Sequence, residues 1–334
     1  MIHMLNKVLS GQSLSRQEAF SVMSDLADQK VTPEQAAAFL IALRMKSETV
    51  DEITGFVESL KSRARLVDVS RKDLIDVCGT GGDSLGTFNV STTVTFVIAA
   101  CGLGIAKHGN RSVSSRSGSF DVLESLGVPF SDDPLEIKKS IEKFGLGFCF
   151  APAFHPALKN LSGIRKALGV RTVFNLLGPL LNPVSVKRQV IGVYSPLVLE
   201  KVAEVLRELG SEEVMVVHGR DGLDEFSISS VTDVVHLKEK KIHRFSVAPE
   251  DFGLAQASLS ELQGGSPEEN AKILIDILQN KKGPKTDLVL MNAAAALVVG
   301  GKAKDFKGGV EIARQAIATG RAFQLLEQMQ KGVS

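Results

Sequence analysis

The sequence predicts an α/β protein, with a small helical domain and a large α/β domain built on a central, mostly parallel sheet. Three observations predict it. Strand and helix patterns alternate from Leu74 onward, a glycine loop stands where the first strand should end, and about the first sixty residues carry only helix signals.

Three helix starts are marked in that first stretch. Ser15-Arg16-Gln17-Glu18, Thr32-Pro33-Glu34-Gln35 and Thr49-Val50-Asp51-Glu52 read as capping boxes, the second with proline at the first helical position. The helix containing Ala36 to Leu43 is apolar on nearly every face, which requires cover from the larger domain or from a second subunit. Beyond it, strands are expected at Leu74–Val77, Gly104–Ala106, Gln189–Val193, Glu213–Val217 and Asp233–Leu237, with a helix over Leu199–Leu209. Ile164 to Val186, with Gly178-Pro179-Leu180-Leu181-Asn182-Pro183, breaks the alternation as a helix and a turn-rich return. The expected division is a helical domain over 1–70, rejoined by about 164–187, and a catalytic domain over 71–334. The two connections would act as a hinge.

The chemistry concentrates at the first strand end. Asp76-Val77-Cys78-Gly79-Thr80-Gly81-Gly82-Asp83, then Thr87-Phe88-Asn89-Val90-Ser91-Thr92, reads as strand, glycine loop and polar helix start. Glycines let backbone N–H groups crowd around a ligand, and the helix dipole favours an anion where Asn89, Ser91 and Thr92 add side-chain donors. No lysine follows in P-loop position, and Ser84 stands where a dinucleotide fingerprint needs glycine. One strand later, Lys107-His108-Gly109-Asn110-Arg111-Ser112-Val113-Ser114-Ser115-Arg116-Ser117-Gly118-Ser119 brings three cations and five serines into thirteen residues. Both clusters belong at the carboxyl ends of parallel strands, where open α/β sheets bind ligands. Together they describe a ligand with phosphate at more than one point.

Asp224 and Glu225 follow the strand ending at Val217, in a glycine-bearing loop. Mg²⁺ takes a few hard oxygens and keeps waters or substrate phosphates as its other ligands, so this pair, with the Ser91 hydroxyl, forms the metal candidate. Arg165 and Arg171 could each fork onto a carboxylate. The residues alone do not choose between that role and an ordinary exposed arginine. His155, in Ala151-Pro152-Ala153-Phe154-His155-Pro156, could line a pocket or cap the following helix.

Composition excludes several classes. A formal net charge of +1 gives no electrostatic case for nucleic acid, and with no Trp and one Tyr the usual base-stacking side chains are scarce. Leu288 to Val299 is too short to span a bilayer and contains Asn292. The first residues lack a signal-peptide pattern, so a cytoplasmic protein with no membrane partner is expected. Cys78, Cys101 and Cys149 are odd in number, without metal or redox spacing, and read as buried thiols.

The ordered set of motifs, including Arg171-Thr172-Val173-Phe174-Asn175-Leu176-Leu177-Gly178-Pro179 and Val217-His218-Gly219-Arg220-Asp221-Gly222-Leu223-Asp224-Glu225, closely resembles the anthranilate phosphoribosyltransferases over the whole length. The resemblance implies a nucleoside phosphorylase-like fold, a homodimer joined through the helical domain, and use of Mg²⁺, two ions per subunit. It implies that phosphoribosyl pyrophosphate is bound by Gly79, Gly82, Asp83, Thr87, Asn89, Val90, Ser91, Thr92, the run Lys107, His108, Gly109, Asn110, Arg111, Ser112, Val113, Ser114, Ser115, and Ser119. Anthranilate would meet Gly79, Asn110 and Arg165, and the metal Ser91, Asp224 and Glu225. The family usually reads His-His-Pro-Ala-Met where this chain has Phe154-His155-Pro156-Ala157-Leu158, near the acceptor channel.

The reaction so implied displaces diphosphate from ribose C1 by the amine of anthranilate, giving N-(5-phosphoribosyl)anthranilate on the way to tryptophan. That amine is already neutral, so no side chain is needed as nucleophile or obligatory base. The nearest alternative is a pyrimidine nucleoside phosphorylase, whose loop pattern differs from Lys107 to Arg111 and which has no need of Asp224-Glu225. A non-catalytic nucleic-acid-binding relative would carry a basic face, against the near-neutral charge.

Overall fold

The computed structural model describes residues 1–81, 85–112 and 116–332. Four helices open it: α1 (Ile2–Leu9), α2 (Arg16–Ala27), α3 (Pro33–Lys46) and α4 (Val50–Lys61). Ser15 and Thr49 form reciprocal capping boxes with Glu18 and Glu52, while Thr32 accepts from the Gln35 amide beside Pro33 at the first turn. The apolar α3 is only partly covered within the chain, with Ala38 and Met45 left exposed. Phe39, Leu40 and Leu43 are fully buried, and the helix packs on α1 and on the helix Pro156–Leu168. Within the chain its cover comes mainly from α1, with a smaller share from the helix Pro156–Leu168, which returns from beyond the strand Leu146–Phe150.

Seven strands form one sheet in the order β3-β2-β1-β4-β5-β6-β7. They are β1 (Leu74–Gly79), β2 (Gly104–Gly109), β3 (Leu146–Phe150), β4 (Arg188–Gly192), β5 (Glu213–Gly219), β6 (Thr232–Lys238) and β7 (Lys241–Val247). The first five run parallel and the last two pair antiparallel. Two strands were not expected. In β3, Gly147 lets the helix Pro134–Phe144 approach so closely that a β-carbon would lie 2.7 Å from Ile141. The β6–β7 hairpin turns on Glu239 and Lys240, both at positive φ, and so lacks the Asn-Gly signal that normally announces such a turn.

Two large cores sandwich the sheet. One joins Ile75, Val77, Val190 and Val217 to Val90–Ala100 and to the helices Pro284–Val299, Phe306–Ala318 and Arg321–Gln330. The other joins Ile191, Val214 and Val216 to Phe39 and Phe56 of the opening helices and to Leu161, Val173, Phe174 and Leu177. The segment around 161–181 therefore shares its core with α1–α4, and Asn160 Nδ2 donates to the Ala27 carbonyl. Among the described residues no helix is long and apolar enough to cross a membrane.

Candidate active site

The glycine loop is built onto the neighbouring strands. Past the end of β1, the Thr80 amide donates to the Gly192 carbonyl, and its hydroxyl accepts from the Tyr194 amide at 3.0 Å. Gly81, at φ 65°, turns its own amide onto Asp224 Oδ2 at 2.7 Å. Two glycines make room for this. A β-carbon on Gly79 would stand 2.4 Å from that carboxylate oxygen, and one on Gly192 only 1.5 Å from the Asp224 carbonyl. The far end of the loop is tied to a distant segment: Gly264 donates to Gly86, Phe88 to Leu262, and Thr87 bridges to Gln263. Gly82 and Asp83 lie outside the described residues.

The loop delivers the N-terminus of the helix Val90–Ala100. Asn89 caps it without a side-chain bond to the helix; instead its amide donates to the Ser117 carbonyl at 3.2 Å and accepts from Asn270 at 2.9 Å. Val90 is buried. Thr92 is fully buried, and its hydroxyl has no hydrogen-bond partner among the described residues. An orphaned hydroxyl beside open helix N–H groups suits an anionic ligand.

Lys107, at 1% exposure, threads under the loop from β2. Its ammonium donates to the Val77 carbonyl at 2.7 Å and to Ser91 Oγ at 3.1 Å. The countercharge is Asp76, wholly buried, whose carboxylate accepts from Asn182 at 2.8 Å and from the His108 amide at 3.3 Å. Burial outweighs Lys107 and these donors and leaves the Asp76 carboxyl above its ordinary value. Asn182 also donates to Ala106 and accepts from Val184, so one buried amide fastens β1, β2 and the turn-rich return.

His108 and His155 meet edge to face, ring centres 5.3 Å apart. Burial pushes His108 down to about 3, with His155 adding to the effect, and burial pushes His155 down to about 4. Neither His155 nitrogen finds a hydrogen-bond partner among the described residues; the Leu181 backbone lies close enough to offset part of the shift without bonding geometry. His155 precedes the helix Pro156–Leu168 but does not cap it with its side chain. Phe154 is fully buried against the core of Leu74, Ala106 and Ile141, while Leu158 rests on the helical core.

After β2 the second cluster folds over the first. Gly109 leaves Ser119 room, at 3.3 Å from where its β-carbon would be. Exposed Asn110 accepts from the Arg111 amide, and Ser112 N donates to Asp121. Arg111 spends its guanidinium on Glu124 and Asp121. Val113, Ser114 and Ser115 lie outside the described residues.

Half-buried Asp224 and Glu225 follow β5 in a loop folded around Asp221, which accepts from Ser227 Oγ, Ser229 Oγ and the Leu223 amide. Among the described residues no three His, Cys, Asp or Glu side chains gather as a metal cage. Two hard carboxylates with access to the phosphate loop match Mg²⁺, which would complete its shell with ligand oxygens and water. Arg165, in the last turn of Pro156–Leu168, lies with its guanidinium 5.3 Å from the Phe174 ring centre; its side chain is solvent-exposed, yet neighbouring protein still lowers its pKa by desolvation. Arg171 stacks 4.5 Å over Tyr194, whose amide holds Thr80, and its carbonyl accepts from Arg44. Of the cysteines only Cys149 is fully buried; Cys78 and Cys101 are half-buried. Desolvation raises all three thiols, Cys101 to about 11, so none is a ready nucleophile.

Known proteins resemble this one over nearly the whole chain. The model of the glycosyl transferase family, a/b domain, matches residues 71–323, and that of its helical bundle domain matches residues 2–64. A curated anthranilate phosphoribosyltransferase from Petrotoga mobilis is 46% identical over 325 residues, 97% of this chain and 94% of the relative. The chain belongs to the anthranilate phosphoribosyltransferase family. Among solved structures, the family's enzyme from Thermus thermophilus superposes with a TM-score of 0.93 at 42% identity, covering 98% of both chains. The Saccharomyces cerevisiae enzyme in complex with PRPP and Mg gives 0.89 at 33% identity, covering 98% of this chain and 96% of the other. The yeast anthranilate phosphoribosyltransferase is also known in complex with 4-fluoroanthranilate.

Within this family frame, four residues important to the site escaped the sequence reading as functional. Thr80, Gly192 and Asn270 act through partners more than a hundred positions away: Tyr194 for Thr80, the Thr80 amide for Gly192, and Asn89 for Asn270. Asp76 was visible as an acid in a buried strand, a signal that could have flagged it as the countercharge to Lys107.

Proposed function

We propose that the chain transfers the phosphoribosyl group of phosphoribosyl pyrophosphate to the amine of anthranilate, releasing diphosphate, with two Mg²⁺ ions per subunit. The observation that carries this reading is the Gly81–Asp224 hydrogen bond, because it seats the acidic pair against the phosphate loop. Donor phosphates would lie on the Gly79–Gly81 and Asn89–Thr92 backbone, with Thr92 Oγ1 and Ser119 as hydroxyl donors, and Asn110 and Arg165 would hold the anthranilate carboxylate. Asp224, Glu225 and Ser91 would hold Mg²⁺, which when bound neutralises charge on the departing diphosphate.

The chain's own work is positioning and electrostatics. As the C1–O bond to diphosphate breaks and the C1–N bond forms, the ribose passes through a cation-like state, and the nitrogen then releases one proton to water. The glycine-loop N–H groups and the helix N-terminus stabilise the leaving group without reorganising, and holding both substrates replaces a bimolecular encounter. The helical unit, 1–70 with 164–187, would close over the site about its two connections and exclude water. Exposed Ile2, Leu9 and Met45 on α1 and α3 support a homodimer through that unit. Three unpaired thiols fit a cytoplasmic protein.

The test is fluorescence-detected consumption of anthranilate with phosphoribosyl pyrophosphate. Turnover should require Mg²⁺ and cease with chelator. Phosphorolysis of a pyrimidine nucleoside in place of this activity would refute the reading.

A further inference from the structure

Asn292 is the one side-chain amide in an otherwise apolar run, Leu288 to Val299, at the centre of the buried helix Pro284–Val299. A buried amide is costly unless its hydrogen bonds are made, and this one makes three. Its Oδ1 accepts from the Phe226 amide at 3.0 Å, while its Nδ2 donates to the Phe226 carbonyl at 3.0 Å and to the Leu288 carbonyl one turn back at 3.0 Å. Both polar atoms of one backbone residue are thus held by a single side chain. That residue directly follows Glu225.

The ring of Phe226 is locked as well, fully buried with its centre 5.6 Å from that of Phe252 and 6.0 Å from that of Phe306. On the other side of the acidic pair, buried Leu223 donates its amide to Asp221 and gives its carbonyl to the Gly219 amide at 2.9 Å. Asp224 and Glu225 therefore form a two-residue bridge between pinned ends. Loose carboxylates would have to be ordered each time a cation bound, whereas a fixed backbone on either side leaves only side-chain rotation to settle.

We infer that Asn292 is a positioning residue for the metal-binding pair, setting the backbone of Glu225 from beneath the site without touching substrate. This rests on reading Asp224 and Glu225 as the metal ligands. A merely structural amide would affect how much protein folds; a positioning amide changes how tightly the folded protein takes the cation.

Mn²⁺ binding, followed by electron paramagnetic resonance in the presence of phosphoribosyl pyrophosphate, separates these. Four variants are compared with wild type: Asn292→Leu, which removes all three hydrogen bonds; Asn292→Asp, which keeps the acceptor for the Phe226 amide; Leu297→Ala, a core truncation in the same helix; and Asp224→Ala with Glu225→Ala. Asn292→Leu should bind Mn²⁺ roughly ten- to a hundredfold more weakly, the usual effect of losing an outer-shell partner. Asn292→Asp should fall between it and wild type and is read in its place if Asn292→Leu does not fold. Leu297→Ala should melt earlier yet bind Mn²⁺ as wild type does. If the double acid variant loses Mn²⁺ while the Asn292 variants bind it normally, the inference about Asn292 is overturned alone. If the double acid variant keeps Mn²⁺, the metal assignment falls and the inference with it.

Discussion

The Gly81 amide donates to the Asp224 carboxylate at 2.7 Å, joining residues 143 positions apart. The contact exists because Gly79 and Gly192 carry no β-carbon, and the two glycines make different demands. At Gly192 an added carbon meets the Asp224 main chain, which cannot rotate away; at Gly79 it meets the end of the side chain, which can. Gly192→Ala should therefore destabilise the fold by about 1–3 kcal/mol, as overpacking does. Gly79→Ala should fold nearly normally but need more Mg²⁺. Urea unfolding and Mg²⁺ dependence of turnover, measured on both, check the contrast; equal stability losses would contradict it.

Lys107 and Asp76 are buried opposite charges that sense each other through space, and each also holds up its neighbours, Lys107 the loop and Asp76 the turn-rich return. Removing one charge strands the other, which typically costs about 3–5 kcal/mol, while removing both does not. Lys107→Met should thus be far less stable than Lys107→Met with Asp76→Asn, and the double-mutant cycle completed by Asp76→Asn should show strong coupling in urea unfolding. Additive single effects would mean the two charges do not sense each other. Donor affinity should fall in both Lys107 variants because each loses the ammonium beside Ser91.

The parts of this architecture that could be read from the chain are those written locally. Ser15 and Thr49 announce their helices within four residues, and the Gly79–Thr92 run describes its own loop, because capping and glycine chemistry depend on near neighbours. What stayed hidden depends on distant partners. Asn89 looked like a simple phosphate donor, yet its side chain is already shared between Ser117 and Asn270. Arg111 stood in a run of cations but is matched by Glu124 one helix later. The β6–β7 hairpin carries no turn residue, since its cross-strand pairing holds Glu239 and Lys240 at positive φ. Arg165 could not be told from a surface arginine because nothing in its helix names a ligand.

The His108–His155 pair should make the protein acid-sensitive. Both are held below the ordinary histidine value near 6.5, at about 3 and about 4, so between pH 6.5 and about 4 the unfolded chain takes up protons that the native state refuses. Stability is unaffected by the pair above about pH 6.5. Below it each histidine removes up to about 1.4 kcal/mol per pH unit. Asp76, raised in the folded state, works in the opposite sense, so the comparison must be with a variant. Unfolding of His155→Gln at pH 7, 6 and 5 should show a shallower acid loss than wild type, and an unchanged slope would rule the pair out as its source.

Arg165 and the phosphate cluster should divide the two substrates between them, because each substrate carries its full charge in a different place. Anthranilate has one carboxylate, and the Arg165 guanidinium, braced against Phe174, is the cation assigned to it. Losing a charged hydrogen-bond partner costs about 1.5–3 kcal/mol, so Arg165→Ala should raise the anthranilate constant roughly ten- to a hundredfold and leave the donor constant near normal. Arg165→Lys should recover little, since an ammonium cannot reproduce the two-pronged fork. Titrating each substrate against both variants is decisive. If the donor constant moves instead, Arg165 belongs to the phosphate site, and the acceptor must bind elsewhere than beside the helix Pro156–Leu168.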